Sequence, residues 1–324
     1  MKAKIINLSS QELNLPFEPR RMKELVKLVV FRNRLPGEGL SYPGESLLNG
    51  CVAVFDRKKH VLNKEYLGRD VGCGMLLARY RESEQNLKEM VNNVGGYVYS
   101  KHSGMGDLYG LGGAHFITFY RVSETWNEKF NRDDFFILVH SGSKRYGLQL
   151  YEKDLSLTEY FETQEKCLAY ARKSRKYILK EISKSAGIKD LEVMFDHPHN
   201  YLEMKKDMVI YRKGAVKIAE GELGIIPSHM GGEAVVVSPR QNITELENSL
   251  PHATGRKISR QQADKEEFYL DGFPKSIYTP YFQDAENLSW ELGPNYRELD
   301  EVLLLISMYV KIEARLSPLG TIMR

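Results

Sequence analysis

Five runs rich in β-branched and aromatic residues occupy the middle of the chain: CVAVF (51–55), AHFITFYRV (114–122), DFFILVH (134–140), MVIYRKGAVKIA (208–219) and EAVVVS (233–238). Each is bounded by Gly, Asp or Pro and reads as a strand. Three stretches carry helical spacing, about 84–93, 157–186 and 298–315. The helices do not alternate with the strands, which argues against a doubly wound parallel sheet and predicts an α+β fold. The turn-rich pieces at 35–50, 102–113 and 271–294 are too mixed to be domain joints, and there is no internal repeat or low-complexity linker. A single domain over 1–324 is therefore expected.

The stretch 157–186 has two faces. Leu168, Ala171, Ile178, Leu179 and Ile182 share one side, while Arg172, Lys173, Lys176, Lys180 and Lys184 fall within an arc on the other. Such a helix buries the first face. The second is either a solvated face or a contact for a phosphate backbone. A net charge of +3 is too small to decide between these, so a nucleic-acid partner has to be argued from local patches. Cys51, Cys73 and Cys167 are an odd and sparse set. They do not suggest a disulfide framework, and a reducing compartment, the cytoplasm, is expected. The first residues lack the apolar core of a signal peptide, and no apolar run reaches the length of a membrane span.

One of the three cysteines sits in GRDVGCGM (68–75), three residues after Asp70 and among glycines that let a backbone pass close to a bound group. The histidines have a related distribution. His115 opens a strand after GLGG, His140 closes DFFILVH ahead of SGSKRYG, His199 lies in DHPHN and His252 in PHATGR. All four stand beside turns, where a scaffold presents functional side chains. His60, in DRKKH, reads as a surface residue, and His102 carries no assignment. Cys51 and Cys167 have no ligand-type neighbours and read as core. Carboxylate, thiolate and imidazole together suit a divalent transition metal. HExxH and CxxC are both missing, so the usual zinc motifs do not apply. A thiolate shared by two ions would give one Asp–Cys–His set and one Cys–His–His set, about 3.5–4 Å apart.

GRDVGCGM, LGGAHF, HSGSKRYG, DHPHN, IIPSHMGG and PHATGRKISR, with YRELDEV and SPLGTI near the C-terminus, resemble the RtcB family of RNA ligases in order and rough spacing, from about residue 40 onward. The resemblance implies an α+β, single-domain fold with a mixed β core and a dinuclear metal site. It implies that Asp70, Cys73 and His115 bind one Mn²⁺ and that Cys73, His140 and His199 bind another. His199, followed by Asn200, fits the family pattern, which leaves His197 out. His252 would be the nucleophile that takes GMP from GTP, and Arg256 and Arg260 would hold phosphates. His229, Tyr296 and Arg324 would complete the nucleotide site. The implied reaction joins RNA 2′,3′-cyclic phosphate or 3′-phosphate ends to 5′-hydroxyl ends, on tRNA or rRNA, with an archease or release-factor-like protein as accessory partner. Softness alone would favour zinc over manganese at a thiolate; manganese comes from the resemblance.

The departures from the family pattern gather at the nucleotide. Ala114 stands for Asn, Thr118 for Glu, His229 for Ser and Met323 for Lys beside Arg324, HATGR replaces HGAGR, and Lys144 replaces Arg. An Arg-to-Lys change keeps the charge and loses the bidentate fork. Guanine selection is the property these changes threaten. Ser141 and Ser143 either contact phosphate or shape the turn. Two other readings compete: a metal-dependent phosphoesterase or nuclease, and a non-catalytic RNA-binding or metal-sensing module.

Overall fold

The structure, a computed structural model, describes residues 3–10, 23–32, 47, 49–81, 90–96, 115–143, 145–259, 277–278, 291 and 293–323. In chain order the strands are β1 (Lys4–Asn7), β2 (Leu25–Val30), β3 (Cys51–Asp56), β4 (Gly74–Tyr80), β5 (Phe116–Thr125), β6 (Phe135–Ser141), β7 (Leu191–Pro198), β8 (Asn200–Met204), β9 (Met208–Lys213), β10 (Ala215–Lys217), β11 (Gly224–Pro227), β12 (Ala234–Pro239), β13 (Ser249–Pro251), β14 (Ile277–Tyr278) and β15 (Val310–Met323). The helices are α1 (Arg145–Glu152), α2 (Leu157–Ala186) and α3 (Leu299–Ile306).

Two sheets meet at the centre. The larger runs β11-β12-β15-β5-β6-β4-β7, with β14 added beside β15; the smaller runs β1-β2-β3-β9-β8. β1 pairs with β2 in parallel, as β14 does with β15, and the remaining ladders are antiparallel. The expected α+β class with a mixed β core is what the chain adopts. One residue, His199, separates β7 of the large sheet from β8 of the small one. The β10–β13 pair then carries the chain from Gly214 to the start of the His252 loop.

α2 holds both sheets. Ser156 caps its N-terminus, sharing a reciprocal capping box with Glu159, and Gly187 closes it in the left-handed conformation. Ile178, Leu179 and Ile182 pack on Leu76, Ala78, Ile117, Ile137 and Val139 of the large sheet. Further along the helix, Tyr160 and Cys167 pack with Phe55, Val209 and Tyr211 of the small sheet. The predicted apolar face is buried and Arg172, Lys173, Lys176, Lys180 and Lys184 are exposed. Both sheets also share a core in which Val29, Val52 and Ile210 meet Ile226, Val235 and Val237 under Leu299, Leu303 and Ile306 of α3.

Several expectations are corrected. The helix read over 298–315 stops at Ile306, and its second half begins the long strand β15. Val310, Lys311 and Ile312 pair with β12 opposite Pro239, Ser238 and Val237, so the ladder overrides helical spacing. The single run 208–219 is two strands broken at Gly214, which has φ +61°. His60 is buried, not surface: it stacks on Phe55 with ring centroids 4.4 Å apart, and its Nε2 lies 2.8 Å from the Tyr211 hydroxyl. Cys51 and Cys167 are buried core residues, as expected. Residues 90–96 are helical, whereas 84–89 of the helix read over 84–93 lie outside the described residues. His102, Ala114, Lys144, Arg260 and Arg324 lie outside them too.

Candidate metal centre

GRDVGCGM (68–75) folds as a tight turn into β4. Gly72 has φ +86° and a Cβ there would meet Ala171 of α2, so no larger side chain suits the position. Cys73 N–H donates to the Asp70 carbonyl (3.0 Å) and Gly72 N–H to the Asn200 carbonyl (2.9 Å). The Asn200 amide returns two bonds, to Asp70 O (2.9 Å) and Leu67 O (3.2 Å). Ser143 donates to the Val71 carbonyl, which settles its role as shaping the turn.

Three buried donors converge beside this turn. Cys73 Sγ lies 3.0 Å from His140 Nε2, and His140 Nε2 lies 3.3 Å from His199 Nε2. His115 Nε2 approaches the same sulfur at 3.2 Å. Metal–nitrogen and metal–sulfur bonds of about 2.0 and 2.3 Å put neighbouring ligands roughly 3.0–3.5 Å apart, so these separations match edges of a coordination shell. A soft thiolate with imidazoles fits a divalent transition metal chemically as well. Cys73, His140 and His199 form one metal-capable group. Asp70 does not join it: its side chain is exposed, although its charge reaches the thiol.

Burial dominates the electrostatics of the cluster. Burial pushes the Cys73 thiol well above its ordinary range, Asp70 raises it further, and Arg175 and the Gly74 N–H pull it back. Burial holds His140 and His199 well below the ordinary imidazole value, with neighbouring histidines and Arg175 adding to the shift. Both are thus neutral ligands at neutral pH.

His252 stands against this cluster, its ring centroid 4.5 Å from His199 and 6.3 Å from His140. A carbonyl only accepts, so the 2.9 Å contact from Nδ1 to Gly214 O places the ring proton on Nδ1 and leaves the Nε2 lone pair available. Burial lowers its pKa to about 4, opposed by the Gly214 bond and aided by Arg32. Arg256 follows on the same loop, its guanidinium 5.1 Å from the centroid of the Tyr296 ring and 3.6 Å from Glu291. Arg32 lies under the loop, where a Cβ on Gly255 would meet its Cδ at 2.7 Å. Arg297 accompanies it, donating to Phe31 O (2.7 Å). Sequence reading missed Arg32 and Arg297, which come from remote parts of the chain and share no motif. His229 ring Nδ1 accepts from Gly231 N–H (3.2 Å) and its ring lies 6.1 Å from Tyr296. His197 turns away, with Nε2 on the Leu223 carbonyl (3.0 Å), as expected for a residue outside the ligand set.

The altered positions are committed to internal contacts. Thr118 is buried, with its hydroxyl 3.1 Å from that of Thr321, and Thr321 donates to Met230 O (3.0 Å). Met323 is buried against Met230 with Phe116 beside them. Arg175 is the other residue that sequence reading missed. Fully buried, it bonds Asp196 (2.6 Å), Ser141 O (2.9 Å) and Gly72 O (3.2 Å). The available signal was a lone cation on the apolar face of α2.

An α+β fold with a buried Cys–His cluster able to hold a metal ion, and a polarised histidine beside it, is the class of protein the geometry defines. The family model for tRNA-splicing ligase RtcB matches residues 150–324, and the chain belongs to that family. It is 25% identical over 222 residues to the RNA-splicing ligase RtcB1 of Escherichia coli strain ATCC 25922 and to the RNA-splicing ligase RtcB of Escherichia coli strain K12. Each match covers 56% of this chain and 54% of the relative, so the chain spans about half the length of the curated relatives it matches. The family-matched residues include His199 and His252; Cys73, His115 and His140 precede them and are brought alongside by the fold.

Proposed function

We propose that the chain is an RNA ligase that joins a 2′,3′-cyclic phosphate or 3′-phosphate end to a 5′-hydroxyl end through a guanylated His252. The observation that carries the reading is the Nδ1 bond to Gly214 O on a ring 4.5 Å from His199. It leaves a neutral nitrogen nucleophile facing a metal-capable cluster, as covalent nucleotidyl transfer requires. His252 Nε2 attacks the α-phosphate of GTP, forming a P–N bond as the bond to pyrophosphate breaks. Transfer of GMP to the RNA 3′-phosphate regenerates the neutral ring. The 5′-hydroxyl then attacks the activated end and GMP leaves. Arg256, with Arg260 and Arg324, is assigned to the phosphates and nucleotide, and His229 with Tyr296 to the base.

Cys73, His140 and His199 would hold one Mn²⁺, and Cys73, His115 and Asp70 a second once the Asp70 carboxylate turns inward. Divalent ions there supply positive charge for the phosphate oxygens. Membership of the tRNA-splicing ligase family supports tRNA as the RNA, with rRNA and an archease or release-factor-like partner as further assignments. We place it in the cytoplasm as a single domain over 1–324; among the described residues no helix is long and apolar enough to cross a membrane.

The test is incubation with Mn²⁺ and labelled GTP or, separately, ATP, comparing the chain with His252→Ala. An acid-labile GMP adduct that the substitution abolishes is expected. An adduct with ATP alone keeps the covalent route and changes the nucleotide, an outcome that Thr118 and Met323 make specific. No adduct from either, with metal bound, favours the phosphoesterase or nuclease reading.

A further inference from the structure

One exposed row of α2 has no part in the site described above. Lys166, Tyr170, Lys173, Tyr177, Lys180 and Lys184 follow one another at steps of three and four residues, the spacing of a single helical ridge. The ridge is about 27 Å long and alternates ammonium groups with phenol rings before ending on two lysines. The lysines are exposed, and Tyr177 is 37% exposed. Several cations elsewhere on the surface are paired: Arg79 with Glu192, Lys217 with Glu203 and Arg315 with Asp300. Among the described residues none of the four ridge lysines has an ion pair. Glu162, one turn before Lys166, and Glu181, on the neighbouring row, mark where the positive track stops.

A second helix adds to the ridge. Tyr170 packs on Tyr146 of α1, with ring centroids 4.3 Å apart, and Tyr146 is 45% exposed. α1 begins at Arg145 and so brings a second aromatic face alongside the lysines of α2.

We propose that this ridge is a docking track for a single strand of RNA, with the lysines on phosphates and Tyr177 and the Tyr146–Tyr170 pair under bases. Alternating cations and exposed aromatic faces suit an unpaired strand, whose bases are free to stack. A duplex offers phosphates without exposed base faces and has no use for the tyrosines. Helix-dipole compensation accounts for a cation in the last turn and not for the row that precedes it. The assignment rests on the RNA-ligase reading for its ligand.

The test uses the full chain and a short, unstructured, labelled RNA with a 5′-hydroxyl, alone or hybridised to its complement. Anisotropy titrations from about 50 to 200 mM salt give affinity and salt slope. Replacing Lys173, Lys180 and Lys184 together by Gln should shrink the slope for the single strand by about 2, at roughly 0.7 per lost phosphate contact. Tyr177→Ala should weaken binding roughly five- to a hundredfold with the slope unchanged, and Tyr177→Phe should restore it. All variants should still form the His252 adduct, which needs no RNA. Unchanged slope and affinity in the triple variant, with the adduct intact, overturn the track. Equal binding of duplex and strand with Tyr177→Ala silent overturns it in favour of a duplex contact. Ridge-dependent RNA binding without any adduct upholds the track and removes the ligase reading instead.

Discussion

Arg175→Met tests what holds the metal centre in shape. Arg175 is buried at 0% exposure and ties three segments: the Cys73 turn through Gly72 O, the end of β6 beside His140 through Ser141 O, and β7 through Asp196. Methionine preserves most of the volume and removes every bond. The Asp196 carboxylate is itself only 10% exposed, so it is left without its cation. Breaking one partner of such a buried pair costs about 3–5 kcal/mol, a large share of a typical stability of about 5–15 kcal/mol. Urea unfolding of the metal-free chain should show that loss at constant m-value. Asp196→Asn in the Arg175→Met background should recover part of it, giving a clear coupling in the double-mutant cycle. Metal affinity supplies an independent readout. Electrostatics alone predicts tighter binding in Arg175→Met, because a cation beside the site is gone and a carboxylate is released. Loss of scaffold geometry predicts binding about 10–100-fold weaker. A stability loss under about 1 kcal/mol with no coupling, or tighter metal binding, would refute the positioning role.

The remaining predictions concern the histidines, the thiol and one glycine. His140, His199 and His252 have folded-state pKa values held below the ordinary imidazole value, His252 at about 4. They are neutral when folded and take up protons when unfolded, so their stability contribution is complete above about pH 6.5 and falls as pH drops toward 4; denaturation midpoints of the metal-free chain at about pH 7 and pH 5 should differ in that sense, and a flat profile contradicts neutral burial. Because the Cys73 thiol is raised, metal binding near neutral pH should release about one proton per chain, counted by calorimetry in buffers of different ionisation heat and lost in Cys73→Ser. Gly214→Ala places a Cβ 2.9 Å from His252 Nδ1 and 2.8 Å from Gly50 N at φ +61°; it should cost about 1–3 kcal/mol and suppress the His252 adduct more than metal binding, whereas an unimpaired adduct would show that the Gly214 carbonyl does not orient the ring.

The parts of this fold that depend on local chemistry were readable from the residues. The strands at 51–55 and 134–140 carry β-branched and aromatic side chains, and α2 has a cap, a two-faced pattern and a closing glycine. β4 was not readable. Its residues, GMLLARY, include no β-branched side chain, and it is a strand because β6 and β7 pair with it on both sides. β15 failed for the opposite reason, since LLLISMYV reads as helix until the pairing of Val310, Lys311 and Ile312 with β12 is weighed against it. At the site, the donors were legible because each stands at a turn. Arg175, which ties the donor turns together, was not, because it stands in α2 outside the motifs and two of its three partners are main-chain carbonyls, which leave no signal in the sequence.

That difference explains how the nucleotide positions can change while the reacting groups stay in register. Cys73, His199 and His252 are linked by main chain: His199 N–H donates to Cys73 O (2.8 Å), Ala215 N–H to His199 O (3.1 Å), and the His252 backbone N–H to Gly214 O (3.1 Å). The same Gly214 carbonyl then receives the His252 ring. His252 and the Cys73–His199 pair are therefore spaced by three backbone–backbone bonds and one ring-to-carbonyl bond, and none of these uses the side chain of Thr118, Thr321, Met230 or Met323. Thr118, Thr321, Met230 and Met323 form a contact set of their own at the start of β5 and the end of β15, touching the cluster through Phe116, whose ring lies 5.0 Å from His140. On the ligase reading proposed above, substitutions there would alter nucleotide choice without moving His252 relative to His199. Thr118→Glu should then shift the GTP-to-ATP preference of the adduct while leaving metal affinity unchanged. A matching loss of metal affinity would show that the two contact sets are mechanically coupled through Phe116.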